Sequence, residues 1–286
     1  MHMAKNYRSQ LVGVFGCPVD ENPTIRVQEA AFAAAGLDWR YLTLLVKPED
    51  LADAFRGLKA MNFAGINLTV PHKVEGLKYV DEQSTEVQLI GATNTIVNRG
   101  GRLIAYNTDG KGFVESLREQ GIELTGKHIA VLGAGGAARA ICVECALAGC
   151  QEITIINRNH KRGEELAELI NEKTESRAAF ARWEGTAPIP SCDILINATS
   201  VGLYPDPGCP DIRYEDIRPG MIVQDVIPNP ADTLFLKKAR EFGATTYDGL
   251  GMLVCQGAIG FTLWTGLEAP AQVMRQALEA ENQADS

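Results

Sequence analysis

Two hydrophobic periods alternate along the chain. Short apolar runs such as LVGVFG, WRYLTLLV and GINLTV are typical of buried strands, whereas the apolar residues between Leu51 and Met61 recur every three or four positions, as on one face of a helix. The runs TNTIVN and RLIAYN are separated by an Arg-Gly-Gly turn at residues 99–101, which predicts a β-hairpin. Because strands and helices alternate, the sequence predicts an α/β fold with a mostly parallel sheet and helices on both faces.

The same alternation restarts after Asp109. Further strands are predicted at HIAVLG, EITIIN, CDILINAT and GMIVQDV. Apolar residues with helical spacing lie between HIAVLG and EITIIN and again after EITIIN. The restart predicts a second domain at residues 110–244, after a first domain at residues 1–109. The last helices begin near Gly249 and Pro270 and have no strand after them, so we expect residues 245–286 to pack back on the first domain.

Composition and charge restrict the classes of partner. The chain has 286 residues, is 45% hydrophobic and 22% charged, and carries a net charge of −9, as expected for a soluble globular protein. It has no run rich in lysine and arginine, which argues against nucleic acid and anionic membranes. No apolar segment approaches the ~20 residues of a membrane span, and no signal-peptide stretch is found at the N-terminus. We expect a cytoplasmic monomer or homodimer that acts on a small molecule.

Cysteine and histidine do not suggest a metal site. The seven cysteines have no framework spacing, and the pair Cys142 and Cys145 lies in an apolar helical run with no second pair nearby. This pattern favours a buried pair of small residues over a metal or redox site. The four histidines show no ligand spacing and lie at positions 2, 72, 128 and 160. We therefore expect no metal and a reduced compartment.

A glycine-rich segment, VLGAGGAARA, follows one predicted strand and opens a helix. Gly133, Gly135 and Ala138 fit the pattern G-x-G-x-x-G/A. In this pattern the first glycine allows the tight turn, the second lets the backbone approach a pyrophosphate, and the small third residue lets the helix pack on the strand. The helix N-terminus then offers N–H groups to the phosphates. The pattern predicts dinucleotide binding, with a structural glycine-rich turn as the alternative.

The end of the next strand indicates which dinucleotide is bound. NAD sites have Asp or Glu there, but this strand ends in Asn-Arg-Asn-His-Lys-Arg at residues 157–162. An arginine at this position accepts the 2′-phosphate of NADP by charge-assisted hydrogen bonds. The alternative is a solvated basic helix start, although cations oppose the dipole of a helix N-terminus. The sequence therefore favours NADP as cofactor.

Polar residues also gather at predicted strand ends in the first domain. One group is N-L-T-V-P-H-K at residues 67–73, and the other combines Asn94 and Thr95 with the segment Asn107–Asp109. Ligands of open sheets bind beyond the carboxyl ends of strands, so these residues are candidates for a substrate site. Taken alone, Lys73 would be a surface lysine, but the surrounding cluster favours a functional role.

Six segments together resemble the shikimate/quinate dehydrogenase family over nearly the whole chain. They are GINLTVPHK, IGATNTIVN, AYNTDGKGF, VLGAGGAARA, INATSVG and DGLGMLVCQGAIGFTLWTG. The resemblance implies an N-terminal substrate-binding catalytic domain, a Rossmann NADP domain, and C-terminal helices that rejoin the first domain. It also implies an NADP-dependent dehydrogenase whose active site lies in the cleft between the domains.

The same resemblance assigns roles to single residues. Lys73 and Asp109 are expected to be the catalytic pair. Substrate binding is expected at Asn22, Thr24, Asn67, Thr69, Asn94 and Gln256. Cofactor binding is expected at Gly133, Gly135, Gly136, Ala137, Asn157, Arg158, Asn159, Arg162, Thr199, Gly249 and Met252. Asn159 departs from the threonine that is usual in the family.

The loop GCPVDENPTI, at residues 16–25, departs further from the family pattern. The family has two serines there, flanking one residue, and their hydroxyls bind the substrate carboxylate; this chain has Asn22 and Thr24. A third hydroxyl usually comes from a tyrosine, where this chain has Pro228. The substrate is thus either shikimate, bound by other groups, or a polyhydroxy ketone without a carboxylate, as for the family's ketofructose reductases. A third hypothesis is a non-catalytic NADP sensor, against which the intact Lys73 and Asp109 argue.

Overall fold

A computed structural model describes residues 7–205 and 208–284 of the chain. His2, the first residues of the predicted range 1–109 and the last residues of the predicted range 245–286 lie outside the described residues. The fold divides into two compact units. The first unit comprises the chain up to Val87 together with Gly91–Tyr106 and Gly257–Glu281. Gln88–Ile90 and Asn107–Gln256 belong to the second unit.

The first unit is built from strands and helices in alternation. Its strands are β1 (Gln10–Gly16), β2 (Trp39–Leu45), β3 (Gly65–Leu68), β4 (Glu82–Gln83), β5 (Thr95–Arg99) and β6 (Arg102–Tyr106). The helices up to this point are α1 (Thr24–Ala34), α2 (Leu51–Ala60), α3 (His72–Glu75) and α4 (Thr85–Ile90), with 3-10 turns at Pro48–Asp50 and Gly76–Tyr79. Only the first half of α4 belongs to this unit, since Gln88–Ile90 belong to the second. The predicted strands and the hairpin are confirmed, whereas β4, α3 and α4 are too short to give a periodic signal.

The first sheet has the strand order β2-β1-β3-β5-β6-β4. Strand β1 pairs in parallel with β2 and with β3, and the β5–β6 hairpin runs antiparallel to β3. The register places Asn67 opposite Thr95, next to the carboxyl end of β3. One face of the sheet is covered by a cluster that includes Phe15, Phe55 and Ile96. The parallel strands therefore end at the edge where the polar residues of β3 lie.

The second unit begins with α5 (Asp109–Arg118). Its strands are β7 (His128–Leu132), β8 (Glu152–Asn157), β9 (Arg177–Arg182), β10 (Ile194–Asn197), β11 (Ile222–Asp225) and β12 (Thr245–Tyr247). Its further helices are α6 (Gly136–Leu147), α7 (His160–Lys173) and α8 (Leu234–Glu241), with a 3-10 turn at Tyr214–Asp216. Two C-terminal helices complete the chain, α9 (Leu250–Thr265), which starts in this unit, and α10 (Ala271–Ala284).

The second sheet is parallel throughout, in the order β12-β11-β10-β7-β8-β9. The chain moves outward from β7 through β8 to β9, then returns to the other side of β7 and continues through β10. This reversal between β7 and β10 is the topological switch point at which doubly wound sheets bind ligands. The α/β prediction with a Rossmann domain is confirmed. No helix within the described residues is both long and apolar enough to cross a membrane.

Candidate active site

The turn between β7 and α6 has the geometry that its three small residues predicted. Gly133 has φ +110°, a conformation that L side chains rarely adopt, and a Cβ there would lie 3.0 Å from the Ala198 carbonyl oxygen. At Gly135 a Cβ would meet no atom within 4 Å, so this side of the turn is open. Ala138 is 0% exposed. The turn is thus tight at its first glycine and open at the second, as a pyrophosphate cradle requires.

The chain at the end of β10 borders this turn. Thr199 donates from Oγ1 to Asn197 Oδ1 at 2.7 Å, and its backbone N–H donates to the same oxygen. The Cγ2 atom of Thr199 would lie 3.2 Å from a Cβ at position 133. The two strands on either side of the switch point therefore place Gly133 and Thr199 together.

Arg158 and Arg162 lie at the far end of β8 and on the first turn of α7. Both are exposed, and neither forms an ion pair with a carboxylate in the part of the chain that the structure describes. The Arg158 guanidinium lies over the Trp183 ring, 5.1 Å from its centroid, where a cation–π interaction holds it in place. Two cations without an acidic partner suit a dianionic phosphate at this position.

Asn159 caps a helix, a role that the threonine usual in the family can also fill. Its Oδ1 accepts the Arg162 backbone N–H at 3.1 Å and so caps α7. Asn and Thr both serve as N-caps, so the substitution keeps the cap. Asn157 donates from Nδ2 to the Asn159 carbonyl oxygen at 2.8 Å. These contacts fix the backbone from which Arg158 projects.

Gly249 and Met252 stand where α9 begins. A Cβ at position 249 would lie 2.5 Å from the Ile227 carbonyl oxygen, so only glycine fits between these two segments. Met252 is 8% exposed. The close approach places the start of α9 beside the chain that follows β11. This is the edge formed by the carboxyl ends of the strands, where the glycine-rich turn also lies.

A buried hydrogen-bond network joins the polar residues of the first unit. Asn67 donates from Nδ2 to the Asn94 carbonyl oxygen and to Thr95 Oγ1, each at 2.9 Å. Thr95 in turn donates to Asn94 Oδ1 at 3.2 Å. Asn67 is 9% exposed and Asn94 is 4% exposed. Asn67 therefore has both N–H groups engaged by protein atoms, and its contacts position Asn94.

Lys73 is the second residue of α3, and its backbone is tied to the same region. Its carbonyl oxygen accepts the Thr93 N–H at 2.8 Å. Thr69 contacts Gly16, where a Cβ would lie 2.4 Å from the threonine methyl group. The structure thus brings Lys73, Thr69 and the network of Asn67 and Asn94 together in the first unit.

Asp109 and Gln256 belong to the second unit. Asp109 opens α5, and its N–H donates to Asn107 Oδ1 at 3.1 Å. Thr108 donates to Gln256 Oε1 at 3.3 Å, and the Gln256 backbone packs against Gly112, one turn further along α5. Gln256 is 8% exposed. The fold therefore places Gln256 beside the start of α5, although the two positions, 109 and 256, are 147 apart in the numbering.

In the loop at residues 16–25, a hydrogen bond joins the two predicted substrate-binding residues, Asn22 and Thr24. Asn22 Oδ1 accepts the Thr24 N–H at 3.0 Å, which leaves the Asn22 amide N–H groups without a partner in the described part of the chain. Thr24 is 6% exposed. Arg26 pairs with Glu281 at 3.3 Å, with 64% of its side chain exposed, so it does not bring a cation into this loop.

Tyr41 was not foreseen by sequence reasoning. It lies on β2 and is 1% exposed, and its hydroxyl donates to Asn67 Oδ1 at 2.8 Å. Burial raises the Tyr41 pKa well above its ordinary value. A tyrosine inside an alternating strand has no distinguishing pattern, so only the tertiary structure shows that its hydroxyl meets Asn67 of β3.

No group of three or more His, Cys, Asp or Glu side chains could hold a metal ion among the described residues. Cys142 and Cys145 are both 0% exposed, and burial raises the pKa of both thiols. His72 contacts the Val46 carbonyl oxygen at 2.7 Å, while His160 pairs with Glu164. The two thiols are thus packed in the core, and each of the two histidines has a partner in the protein.

Comparison with known proteins decides the family. Three family descriptions match successive parts of the chain: the shikimate dehydrogenase substrate binding domain over residues 14–96, shikimate/quinate 5-dehydrogenase over 115–204, and the shikimate 5′-dehydrogenase C-terminal domain over 249–279. Shikimate dehydrogenase (NADP(+)) of Desulforamulus reducens is 40% identical over 98% of this chain and 98% of its own length. This chain belongs to the shikimate/quinate dehydrogenase family.

Two solved structures of the family show how closely the fold agrees. Ligand-free 5-ketofructose reductase of Gluconobacter sp. strain CHM43 is 47% identical, with a TM-score of 0.92, over 96% of this chain and 100% of that one. A shikimate dehydrogenase in complex with NADP+ is 39% identical, with a TM-score of 0.90, over 96% of each chain. Family membership makes this chain an oxidoreductase that acts on CH–OH groups, which favours the catalytic hypotheses over a sensor.

Proposed function

We propose that this chain catalyses reversible hydride transfer between NADP(H) and a hydroxyl or ketone carbon of a small polyhydroxylated substrate, with 3-dehydroshikimate and shikimate as the first substrate pair. The observation that carries the cofactor is the open turn at Gly135 together with the arginines at positions 158 and 162, which have no acidic partner in the described residues. The relatives named shikimate dehydrogenase (NADP(+)) support both the cofactor and the substrate.

The residues of this chain supply binding and proton transfer. Bound NADPH provides the hydride. As the ketone is reduced, its oxygen gains negative charge, and the Lys73 ammonium stabilises that charge and donates the proton. In the opposite direction, neutral Lys73 removes the hydroxyl proton, and Asp109 acts as its partner. Asn94 and Gln256 hold substrate hydroxyls, while Asn67 positions Asn94 through the 2.9 Å bond to its carbonyl oxygen.

A second candidate is a reductase of a neutral polyhydroxy ketone, such as 5-ketofructose. The observation that favours it is the replacement of the residues usual for carboxylate recognition, two serines and a tyrosine, by Asn22, Thr24 and Pro228. In addition, the Asn22 side-chain oxygen is already engaged by the Thr24 N–H. A carboxylate is costly to desolvate unless donors replace its water. The 47% identity to a 5-ketofructose reductase supports the same candidate.

One substrate panel separates the two candidates. NADPH oxidation is measured with 3-dehydroshikimate, 3-dehydroquinate and 5-ketofructose, each over a full concentration range, with NADH as the parallel cofactor. Preferred turnover of 3-dehydroshikimate supports the first candidate, and preferred turnover of 5-ketofructose supports the second. Turnover of none of them, or equal use of NADH, would contradict the proposal.

The triple variant Asn22→Ser/Thr24→Ser/Pro228→Tyr adds a matched comparison, because it restores the hydroxyls that are usual in the family. A gain in kcat/KM for shikimate would show that these positions set substrate choice. No gain, combined with efficient wild-type turnover of shikimate, would leave only the first candidate.

A further inference from the structure

The Arg158 guanidinium is held by an aromatic ring and not by an acid in the part of the chain that the structure describes. It lies over the Trp183 ring, 5.1 Å from the centroid, and no carboxylate there pairs with it. The acidic residue that follows Trp183, Glu184, pairs with Arg182 at 2.8 Å instead. A ring attracts a cation through its negative face but has no oxygen atom to accept the guanidinium N–H groups. The contact therefore restrains Arg158 and leaves its N–H donors available to a ligand.

Trp183 is itself fixed by its surroundings. Its backbone N–H donates to the Asn157 carbonyl oxygen at 3.1 Å, which continues the register that pairs Asn157 with Arg182. Its indole Nε1–H donates to the Asp211 carbonyl oxygen at 3.0 Å. Trp183 is 6% exposed and belongs to the apolar cluster that also contains Ile156. A ring held in this way is a rigid platform for the exposed side chain of the arginine.

The strand end that carries Arg158 is joined to the glycine-rich turn. The Gly133 backbone N–H donates to the carbonyl oxygen of Ile156, two residues before Arg158, at 2.8 Å. A dinucleotide whose pyrophosphate occupies this turn has its adenosine ribose beside this strand end. An arginine that is ordered in advance loses less conformational entropy when a phosphate binds, which raises the affinity. The platform should therefore matter only for a ligand that carries the 2′-phosphate.

We propose that Trp183 is a positioning residue for cofactor choice: its ring orders the Arg158 guanidinium for the 2′-phosphate of NADP without occupying the N–H donors that the phosphate needs. The inference rests on the proposed function, since it concerns the same cofactor site. It assigns part of the preference for NADP to a buried residue beyond β9, which itself does not touch the phosphate.

The test is the binding of 2′,5′-ADP and 5′-AMP to the full-length protein, because these nucleotides differ only by the 2′-phosphate. Calorimetry measures 2′,5′-ADP, and competition against NADPH quantifies weak binding of 5′-AMP. Trp183→Leu should weaken 2′,5′-ADP by about three- to thirtyfold, the range of a cation–π interaction, and leave 5′-AMP nearly unchanged. Trp183→Phe keeps an aromatic face and should retain most of the wild-type ratio. A merely structural role would weaken both nucleotides alike.

A double-mutant cycle with Arg158→Ala shows whether Trp183 acts through the arginine. In the Arg158→Ala background, Trp183→Leu should cause no further loss of 2′,5′-ADP affinity, whereas independent contributions would add as free energies. A further loss in that background, or equal losses for the two nucleotides in the wild-type background, would overturn the inference.

A measurement that keeps all three tryptophans decides the matter if Trp183→Leu folds poorly. With 5-fluorotryptophan incorporated, the fluorine resonance that Arg158→Ala displaces reports on Trp183. We expect 2′,5′-ADP to displace the same resonance, because the phosphate changes the charge beside the ring, and 5′-AMP to leave it in place. No response to 2′,5′-ADP would overturn the inference.

Failure of this inference is distinguishable from failure of the proposed function. A wild-type protein that binds 2′,5′-ADP and 5′-AMP equally would contradict the proposed cofactor as well. A clear preference for 2′,5′-ADP that Trp183→Leu does not change would overturn only the role of Trp183.

Discussion

Asn197 donates from Nδ2 to Asp225 Oδ1 at 3.0 Å, across the neighbouring strands β10 and β11. Asp225 is 0% exposed and also accepts from Thr233 Oγ1 at 2.8 Å and from the Ile227 N–H at 3.2 Å. The other end of the Asn197 amide holds Thr199, beside the glycine-rich turn. A buried carboxyl therefore supports the loop that borders the candidate cofactor site.

The Asp225 carboxyl should make the folded protein less stable as the pH rises, whereas most carboxyl groups have the opposite effect. Burial raises the Asp225 pKa to about 6 from 3.8, so the folded state binds its proton more tightly than the unfolded chain does. The contribution to stability is present below pH 4 and is lost as the pH rises to about 6. At ~1.4 kcal/mol per pKa unit, the loss is at most about 3 kcal/mol.

The measurement is the free energy of unfolding in urea at several pH values, for wild type and Asp225→Asn. Relative to wild type, the variant should gain stability as the pH rises from 4 to 7, because it has no proton to lose. Asp50→Asn is the control, since Asp50 is exposed and should give a difference that is nearly independent of pH. A constant difference for Asp225→Asn would contradict the assignment.

Gly135→Ala should weaken NADPH binding without unfolding the protein. Gly135 has φ −81° and open space around its Cβ position, so alanine fits the backbone, but its methyl group would occupy the space that we propose for the pyrophosphate. We expect a loss of about tenfold or more in NADPH affinity, measured by fluorescence titration, on the scale of one lost charge-assisted hydrogen bond. Gly133→Ala is the contrast, because φ +110° makes it destabilising as well. Unchanged NADPH affinity in Gly135→Ala would place the cofactor elsewhere.

Arg158→Ala should weaken NADPH far more than NADH, because only NADPH carries the 2′-phosphate. Loss of a hydrogen bond to a charged group costs about 1.5–3 kcal/mol, which is roughly 10- to 150-fold in the dissociation constant. The matched control is Lys161→Ala, whose side chain is 85% exposed and pairs with Glu165 at 3.9 Å. Equal losses for both cofactors would show that Arg158 does not read the phosphate.

Lys73→Ala should lower kcat by about 10²–10⁴-fold, the usual contribution of a general acid–base group. NADPH affinity should stay nearly unchanged, because the candidate cofactor residues lie in the other unit. Lys78→Ala is the control, since Lys78 is 68% exposed and pairs with Glu75 at 2.7 Å. Single-turnover kinetics separate the chemical step from product release, and near-normal rates for Lys73→Ala would remove this lysine from the mechanism.

The short edge strands could not be predicted from the sequence. Strand β9 (RAAFAR) and strand β12 (TTY) lie at the edges of the second sheet and contain no fully buried residue. The apolar run of β9 is short and mostly alanine, and β12 is three residues long. Their strand structure comes from pairing with β8 and β11, so it depends on tertiary context more than on local propensity. The central strands, buried on both faces, carry long apolar runs and were predicted.

The sequence by itself determined the α/β fold, the family and the position of the dinucleotide turn. These follow from local requirements: a glycine at positive φ, a small residue packed between helix and strand, and a basic strand end all lie within about 30 residues, the size of one βαβ unit. Tertiary structure alone decided which buried groups meet, such as Tyr41 with Asn67 and Asn197 with Asp225. The physical reason is that these partners lie far apart in the sequence and come together only when distant strands pair in register.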